Sequence, residues 1–357
     1  TPDQSSAASD VYKRQDQYVH ALQFFSELPQ HLRVLWNDGP RLKAIDRQLE
    51  KLDLAPKEYG KGRNVWYCMG YVLATGRAES VALHDCDITT YNKELLARLI
   101  YPVANPQFNY EFCKGFYARV ANGKINGRVS RLLVSPLIQA LKANLGQMDY
   151  LDYMDSFRYP LAGEFSFRRD VLNDIRIPSD WSLEVGVLSE MYRNYANNRL
   201  CQVDIADNYD HKHQSLSVND ESKGLSKMSI DIAKGLFRKL ATQGVIFSQE
   251  TFRSIKATYY RKALDVIENC HNDAVMNGLS LDVHEEEKAV EMFAQNIIKA
   301  GEIFTAIPME RPFLPSWNRV VSAIPDIYDQ LIEAVDKDLK EFQLAKTTVR
   351  PLKRASR

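Results

Sequence analysis

Residues 80–90 read SVALHDCDITT. The short apolar run Val81-Ala82-Leu83 has the length and composition of a strand, and Asn92-Lys93-Glu94-Leu95-Leu96-Ala97 behind it is compatible with a helix. Between them stand His84 and Asp85-Cys86-Asp87. A strand ending in Asp-x-Asp delivers two carboxylates to the carboxyl edge of a sheet, where open α/β folds bind ligands. Hard oxygens at that place suit Mg2+ or Mn2+, which keeps several waters and bridges to substrate phosphates. The same residues also read as a solvated acidic turn with Asp87 as a helix cap, so the rest of the chain has to decide.

Upstream, Gly60-Lys61-Gly62-Arg63 stands at the entrance of a helical run over 64–75. Backbone N–H groups and the helix dipole favour an anion there, and the lysine adds a charge. It is not a P-loop, because GxxxxGK[ST] is absent, and an ordinary Gly-rich loop is the plain alternative. Residues 32–36 (LRVLW) read as a strand, with Asn37-Asp38-Gly39-Pro40 as the turn after it and a helix from Arg41 to about Leu52. Val19, Leu22, Phe25 and Leu28 share one face of a helix that Pro29 closes. Strand, helix, helix, strand in this order predicts a parallel α/β sheet.

Downstream, residues 108–120 alternate as one long or two short strands, with Asn122-Gly123 as a turn. Asn126-Gly127-Arg128-Val129-Ser130 opens a helix to about Ala143, with Arg128 and Ser130 in its first turn, a good place for a phosphate or carboxylate. A capping serine and a surface arginine are the bland reading. Pro160-Leu161-Ala162-Gly163-Glu164 is a turn into a strand, and Leu183 starts a helix to about Tyr195. Residues 200–205 read as a strand, followed by the polar loop Asp207 to His213, in which His211 and His213 are candidate metal ligands or plain solvated side chains. Beyond Asp220 the apolar stripes are helical, with spans predicted at 285–304 and 316–342, and they read as core packing that carries no chemistry.

The 357 residues balance 46 Lys+Arg against 46 Asp+Glu, which gives no support to a global field for nucleic acid or membrane. No apolar run approaches the roughly 20 residues of a membrane span. Five scattered cysteines without a CxxC read as reduced, mostly buried thiols of a cytoplasmic protein, and argue against a disulfide framework or zinc site. The first fifteen residues, TPDQSSAASDVYKRQ, are polar and patternless and are expected to be a non-native leader. The tail over 346–357 has five basic residues and no acidic ones, and is expected to be disordered.

Five segments in this order, GKGRN (60–64), HDCDI (84–88), GRVS (127–130), PLAGE (160–164) and YDHKH (209–213), resemble the glucosyl-3-phosphoglycerate synthase family, retaining glycosyltransferases. The resemblance implies an α/β fold with a GT-A (Rossmann-like) nucleotide-sugar-binding sheet and a C-terminal helical extension. The expected layout is a leader over 1–15, a GT-A domain over 16–218, a helical region over 219–345 and the basic tail. The family moves glucose from a nucleoside-diphosphate glucose, usually UDP-glucose, to the 2-hydroxyl of 3-phosphoglycerate with Mg2+ or Mn2+.

Carried over, Asp85 and Asp87 meet metal and donor, and His211 completes the metal site. Lys61 and Asp38 are donor-binding; Gly127, Arg128, Ser130 and His213 face the acceptor; Leu161 and Glu184 are the catalytic candidates. Ser130 stands where many relatives have threonine, and His213 where some have asparagine. The family opens with a strand and loop that grip the nucleotide base; these are not found in this sequence, so the chain is expected to lack its N-terminal strand. The implied partners are a sugar nucleotide and a small phosphorylated acceptor, with a homodimer by analogy. Glucose or mannose, UDP or GDP, and phosphoglycerate or glycerate stay open.

Two rival readings stand beside this one. Asp85-Cys86-Asp87-Ile88-Thr89 also matches the DxDxT of haloacid-dehalogenase-like Mg2+ phosphatases, but that fold puts the motif on its first strand and needs a later acidic loop that this sequence does not carry. The other is a non-catalytic homologue.

Overall fold

The computed structural model describes residues 15–56, 58, 60–210, 224–308 and 313–346. Nearly all of the leader, the loop with His211 and His213, and the basic tail after Lys346 lie outside the described residues. Helices α1 (Gln15–Phe24), α2 (Pro40–Lys51) and α3 (Lys61–Thr75) precede β1 (Ser80–Leu83). Helix α4 (Lys93–Ala104) leads to β2 (Phe112–Tyr117) and a hairpin of β3 (Val120–Ala121) and β4 (Lys124–Ile125). A π-turn (Ser130–Val134) opens α5 (Ser135–Leu145), followed by α6 (Asp149–Asp155), β5 (Phe165–Arg168), α7 (Val171–Asp174), α8 (Leu183–Asn194) and β6 (Leu200–Ala206). The remainder is helical: α9 (Gly224–Ala241), α10 (Gln249–Met276), α11 (Val283–Ala306), α12 (Trp317–Ala323) and α13 (Ile327–Lys346).

The main sheet runs β1-β5-β2-β6. It is mixed, not wholly parallel as the element order predicts: β2 and β6 are parallel, while β5 lies antiparallel to both β1 and β2. The reason is local. The Pro160–Glu164 turn sits at the carboxyl end of β1, where Phe165 pairs with Leu83, so the chain can only run back as it enters β5. Sheet periodicity then sorts the core, with Phe112 in the large cluster on one face and Cys113 in a smaller one under α4. The large cluster also takes in Phe237, Phe252, Phe293 and Trp317 from the C-terminal helices.

Three other expectations change. Residues 32–36 form no strand, because no strand among the described residues offers them a ladder; instead Trp36 stacks on Tyr18 at 5.5 Å and meets Phe342 edge-on. The helix predicted over 316–342 is broken at Pro325, which lacks an N–H and disfavours helical backbone before it. The five cysteines are free thiols, but only Cys113 is buried, and Cys68 and Cys86 are exposed. Among the described residues no helix is long and apolar enough to cross a membrane. The result is the α/β sheet with a C-terminal helical part that the resemblance implies.

One contact locks α12 onto the helix that carries the GKG segment. Trp66 and Trp317 stack with centroids 4.3 Å apart, and the Trp317 indole N–H donates to the Trp66 carbonyl at 3.0 Å. Gly70 makes room for this pair, since a Cβ there would fall 2.0 Å from the Trp317 ring. Gly70→Ala should therefore cost about 2 kcal/mol through overpacking, read as a lower urea midpoint with an unchanged slope.

Candidate functional site

Lys61 is the first residue of α3, with Gly60 as the N-cap. Its position at the helix entrance sends the side chain across to two other elements. The ammonium lies 2.5 Å from Asp85 Oδ1 and 2.9 Å from Glu184 Oε1, the latter in the first turn of α8, where the helix dipole favours a carboxylate. Burial works against the Lys61 charge, but Asp85 and Glu184 outweigh it and hold the pKa well above the ordinary lysine value. Two residues further along α3, the buried Arg63 guanidinium donates to the Asn37 carbonyl at 2.9 Å and pairs with Asp46 and, at 3.5 Å, with Asp38. This ties the 37–40 turn to the entrance of α3.

The Asp85–Asp87 turn is fixed from behind. The Asp85 backbone N–H donates to Glu164 Oε1 at 3.3 Å, and Gly163 sits so close that a Cβ there would fall 2.4 Å from Asp85 Oδ2. Glu164 is fully buried and also accepts the hydroxyls of Tyr117 at 2.8 Å and Tyr209 at 2.7 Å. Burial and the neighbouring Asp85 push its pKa up, while the two hydroxyls pull it down. Thr89 donates its N–H and hydroxyl to the Asp210 carbonyl at 2.9 and 3.0 Å, and the Asp210 N–H donates to Thr90 Oγ1 at 3.0 Å. The acidic turn is thus stitched to the residue that precedes His211.

The GRVS segment reaches the same place through aromatic rings. Gly127 has φ +77°, which keeps it out of the predicted helix and favours glycine. It packs beside Arg119, whose guanidinium lies over the Tyr159 and Tyr209 rings. Arg128 follows and donates Nε–H to Glu286 Oε1 at 2.9 Å. Ser130 is buried in the π-turn, and its Oγ has no hydrogen-bond partner among the described residues.

The structure therefore joins Lys61, Asp85 and Glu184 directly, with Asp87 two residues along the same turn and Leu161 in the turn that holds Gly163. Asp38 lies one arginine away, and Gly127 is linked through Arg119, Tyr159 and Tyr209. Glu184, one of the two catalytic candidates, is only 8% exposed and faces Lys61. His211 and His213 lie outside the described residues, within which no group of three or more His, Cys, Asp and Glu gathers as a ligand set.

Several contributors carry no sequence motif of their own. Lys114 lies fully buried in β2, over the Phe165 ring, with its ammonium donating to the Ala162 carbonyl. The signal that could find it is a lysine inside the otherwise apolar strand FCKGFY, where a charge must have a partner. Glu164 is legible only as the last letter of PLAGE, and Tyr117 and Tyr209 look like core aromatics. Burial pushes the Lys114 pKa from 10.5 down to about 8, against the pull of Glu184 and Glu164. Between these two values the unfolded chain holds a proton that the folded chain has lost, so this group adds stability as pH rises. Relative to Lys114→Met, the wild type should gain about 3 kcal/mol across that window in urea unfolding at stepped pH.

With this geometry in hand, comparison with known proteins is specific. Over 324 residues the chain is 45% identical to the glucosyl-3-phosphoglycerate synthase of Persephonella marina, covering 91% of this chain and 80% of that protein. Over 333 residues it is 42% identical to the glucosyl-3-phosphoglycerate synthase of Methanococcoides burtonii, covering 92% and 80%. A solved structure of the Mycobacterium tuberculosis enzyme of that name, in complex with Mn2+, UDP-glucose and phosphoglyceric acid, is similar at 21% identity and TM-score 0.41. That match covers 56% of this chain and 61% of the solved one. No family model matches the chain. Identity at the level of the first two relatives, sustained over four fifths of each, is decisive: the chain belongs to the glucosyl-3-phosphoglycerate synthase family of glycosyltransferases.

Proposed function

We propose that this protein transfers glucose from UDP-glucose to the 2-hydroxyl of 3-phosphoglycerate in a reaction that requires Mg2+ or Mn2+. The observation that carries the reading is the Lys61 bridge, because one ammonium brings the GKG segment, the Asp-x-Asp turn and Glu184 into a single site. The names of the relatives at 42–45% identity support the substrates.

The residues present fit a hard divalent cation. Asp85 and Asp87 offer two carboxylates on one tight turn, and the absent side chain of Gly163 lets the Asp85 carboxylate pack against that backbone, which fixes where its oxygens stand. With His211, whose backbone neighbour Asp210 is bonded to that turn, they are the residues that would hold it. When bound, the cation offsets the negative charge that develops on the departing diphosphate.

The chain's own groups do the rest. Lys61 supplies a fixed positive charge beside the donor, since its raised pKa keeps the ammonium protonated. Glu164 and Lys114 hold the Asp85 amide and the Ala162 carbonyl, and so orient the Leu161 turn toward the transferred sugar. Asp38 faces the donor from the 37–40 turn. Gly127, Arg128, Ser130 and His213 take the acceptor, with Arg128 on its phosphate. Glu184 stands beside Lys61 at the reacting end. We assign a GT-A domain to 16–218 and a helical region to 219–345, and we place the enzyme in the cytoplasm; a homodimer is the assembly to which the family resemblance points.

The direct test incubates the protein with UDP-glucose, 3-phosphoglycerate and Mg2+ and follows UDP release. Release that depends on the acceptor and stops with EDTA is expected. No release with any sugar nucleotide, together with hydrolysis of a generic phosphate ester, would move the assignment to the phosphatase class.

A further inference from the structure

The helices after residue 224 look like packing in the sequence, yet one of them reaches the GRVS segment with a charge. Glu286 lies in the first turn of α11 with its side chain only 3% exposed. Its Oε1 accepts Nε–H of Arg128 at 2.9 Å, and its Oε2 lies 2.7 Å from Nη1 of Arg131. Burying a carboxylate is costly unless it is paired, and here two guanidinium groups from one helical turn share it.

The surroundings fix this carboxylate in space. Asp282 caps α11 by accepting the Glu285 N–H at 3.1 Å, and the Glu286 N–H donates to the Asp282 carbonyl at 3.1 Å. Just before the cap, the Ser280 N–H donates to the Gly123 carbonyl at 2.8 Å, so the start of α11 is joined to the β3–β4 hairpin that leads into GRVS. On the other side the Tyr259 hydroxyl of α10 donates to the Leu132 carbonyl at 2.7 Å within the π-turn. Arg131 Nε–H in turn donates to the Asn126 carbonyl.

A guanidinium is a planar fork with five N–H donors. Glu286 takes the Nε–H of Arg128, which leaves the terminal amino groups at the far end of the fork, and the side chain remains 29% exposed. We propose that Glu286 is a positioning residue for the acceptor: it fixes the plane of Arg128 so that the two terminal amino groups meet the phosphate of an anionic acceptor. The inference rests on the reading of Arg128 as an acceptor-phosphate ligand. It assigns the C-terminal helices a part in acceptor recognition that their apolar stripes do not announce.

The test is steady-state kinetics of Glu286→Gln, Glu286→Asp and Arg128→Ala with UDP-glucose and 3-phosphoglycerate, with calorimetric UDP affinity in Mn2+ as the check on a folded donor site. Glu286→Gln should raise the acceptor KM about tenfold, with the donor KM and kcat within about twofold. Glu286→Asp keeps the charge one methylene short and should fall between it and wild type; it also carries the test if the glutamine variant does not fold. An acceptor KM that stays unchanged or falls would overturn the inference, a fall meaning that Glu286 only damps the Arg128 charge. If Arg128→Ala itself leaves the acceptor KM unchanged, it is the acceptor reading of Arg128 that fails. If Arg128→Ala raises it and neither Glu286 variant does, the positioning role alone is lost.

Discussion

The contact between the Lys61 ammonium and the Asp85 carboxylate is the constraint on which the site depends. Two carboxylates as close as Asp85 and Glu184 are to one ammonium repel one another, and that cation is what offsets the repulsion. With it, three elements remote in sequence are held within one hydrogen-bond length of a common atom. The pair also explains why α3 begins where it does. Its first residue must project from the helix entrance across to the carboxyl edge of β1.

Behind this pair lies a second, buried layer that sets the backbone and not the chemistry. Glu164 collects the Asp85 amide and two tyrosine hydroxyls, and Lys114 holds the carbonyl two residues before it. A buried charge is tolerated only where its hydrogen bonds are complete, and the direction of each shift follows from how well the partners meet that cost. Lys114 is driven down because burial outweighs the pull of Glu184 and Glu164; Lys61 is driven up because Asp85 and Glu184, which it touches, outweigh its burial. The two lysines are thus shifted in opposite directions, Lys61 as a permanent charge between Asp85 and Glu184 and Lys114 as a buried donor to the backbone.

Much of this was legible in the sequence, and the misses share a cause. The strand of residues 81–83 and a helix over 64–75 follow from local composition and spacing, although the helix starts three residues earlier, and the GKGRN, HDCDI, GRVS, PLAGE and YDHKH segments stand out through the family resemblance. The antiparallel course of β5 does not, because it depends on where the PLAGE turn sits in space. Residues 32–36 have strand composition, but a strand exists only with a partner ladder, and local pattern cannot supply one. The roles of Glu164, Lys114 and Glu286 escape for the same reason. Each is defined by a contact over a long stretch of chain, such as the 158 residues between Arg128 and Glu286, and periodicity reads only neighbours.

In the proposed reaction the turn at Asp85 receives the donor's diphosphate through a divalent cation. Asp85→Asn is nearly isosteric and keeps an oxygen for the Lys61 ammonium, so it removes the charge while sparing the local contact. Calorimetric titration of UDP into this variant with Mn2+ present measures that dependence directly. Loss of the Mn2+-dependent binding that the wild type shows is the predicted result; an isotherm indistinguishable from wild type would contradict the account.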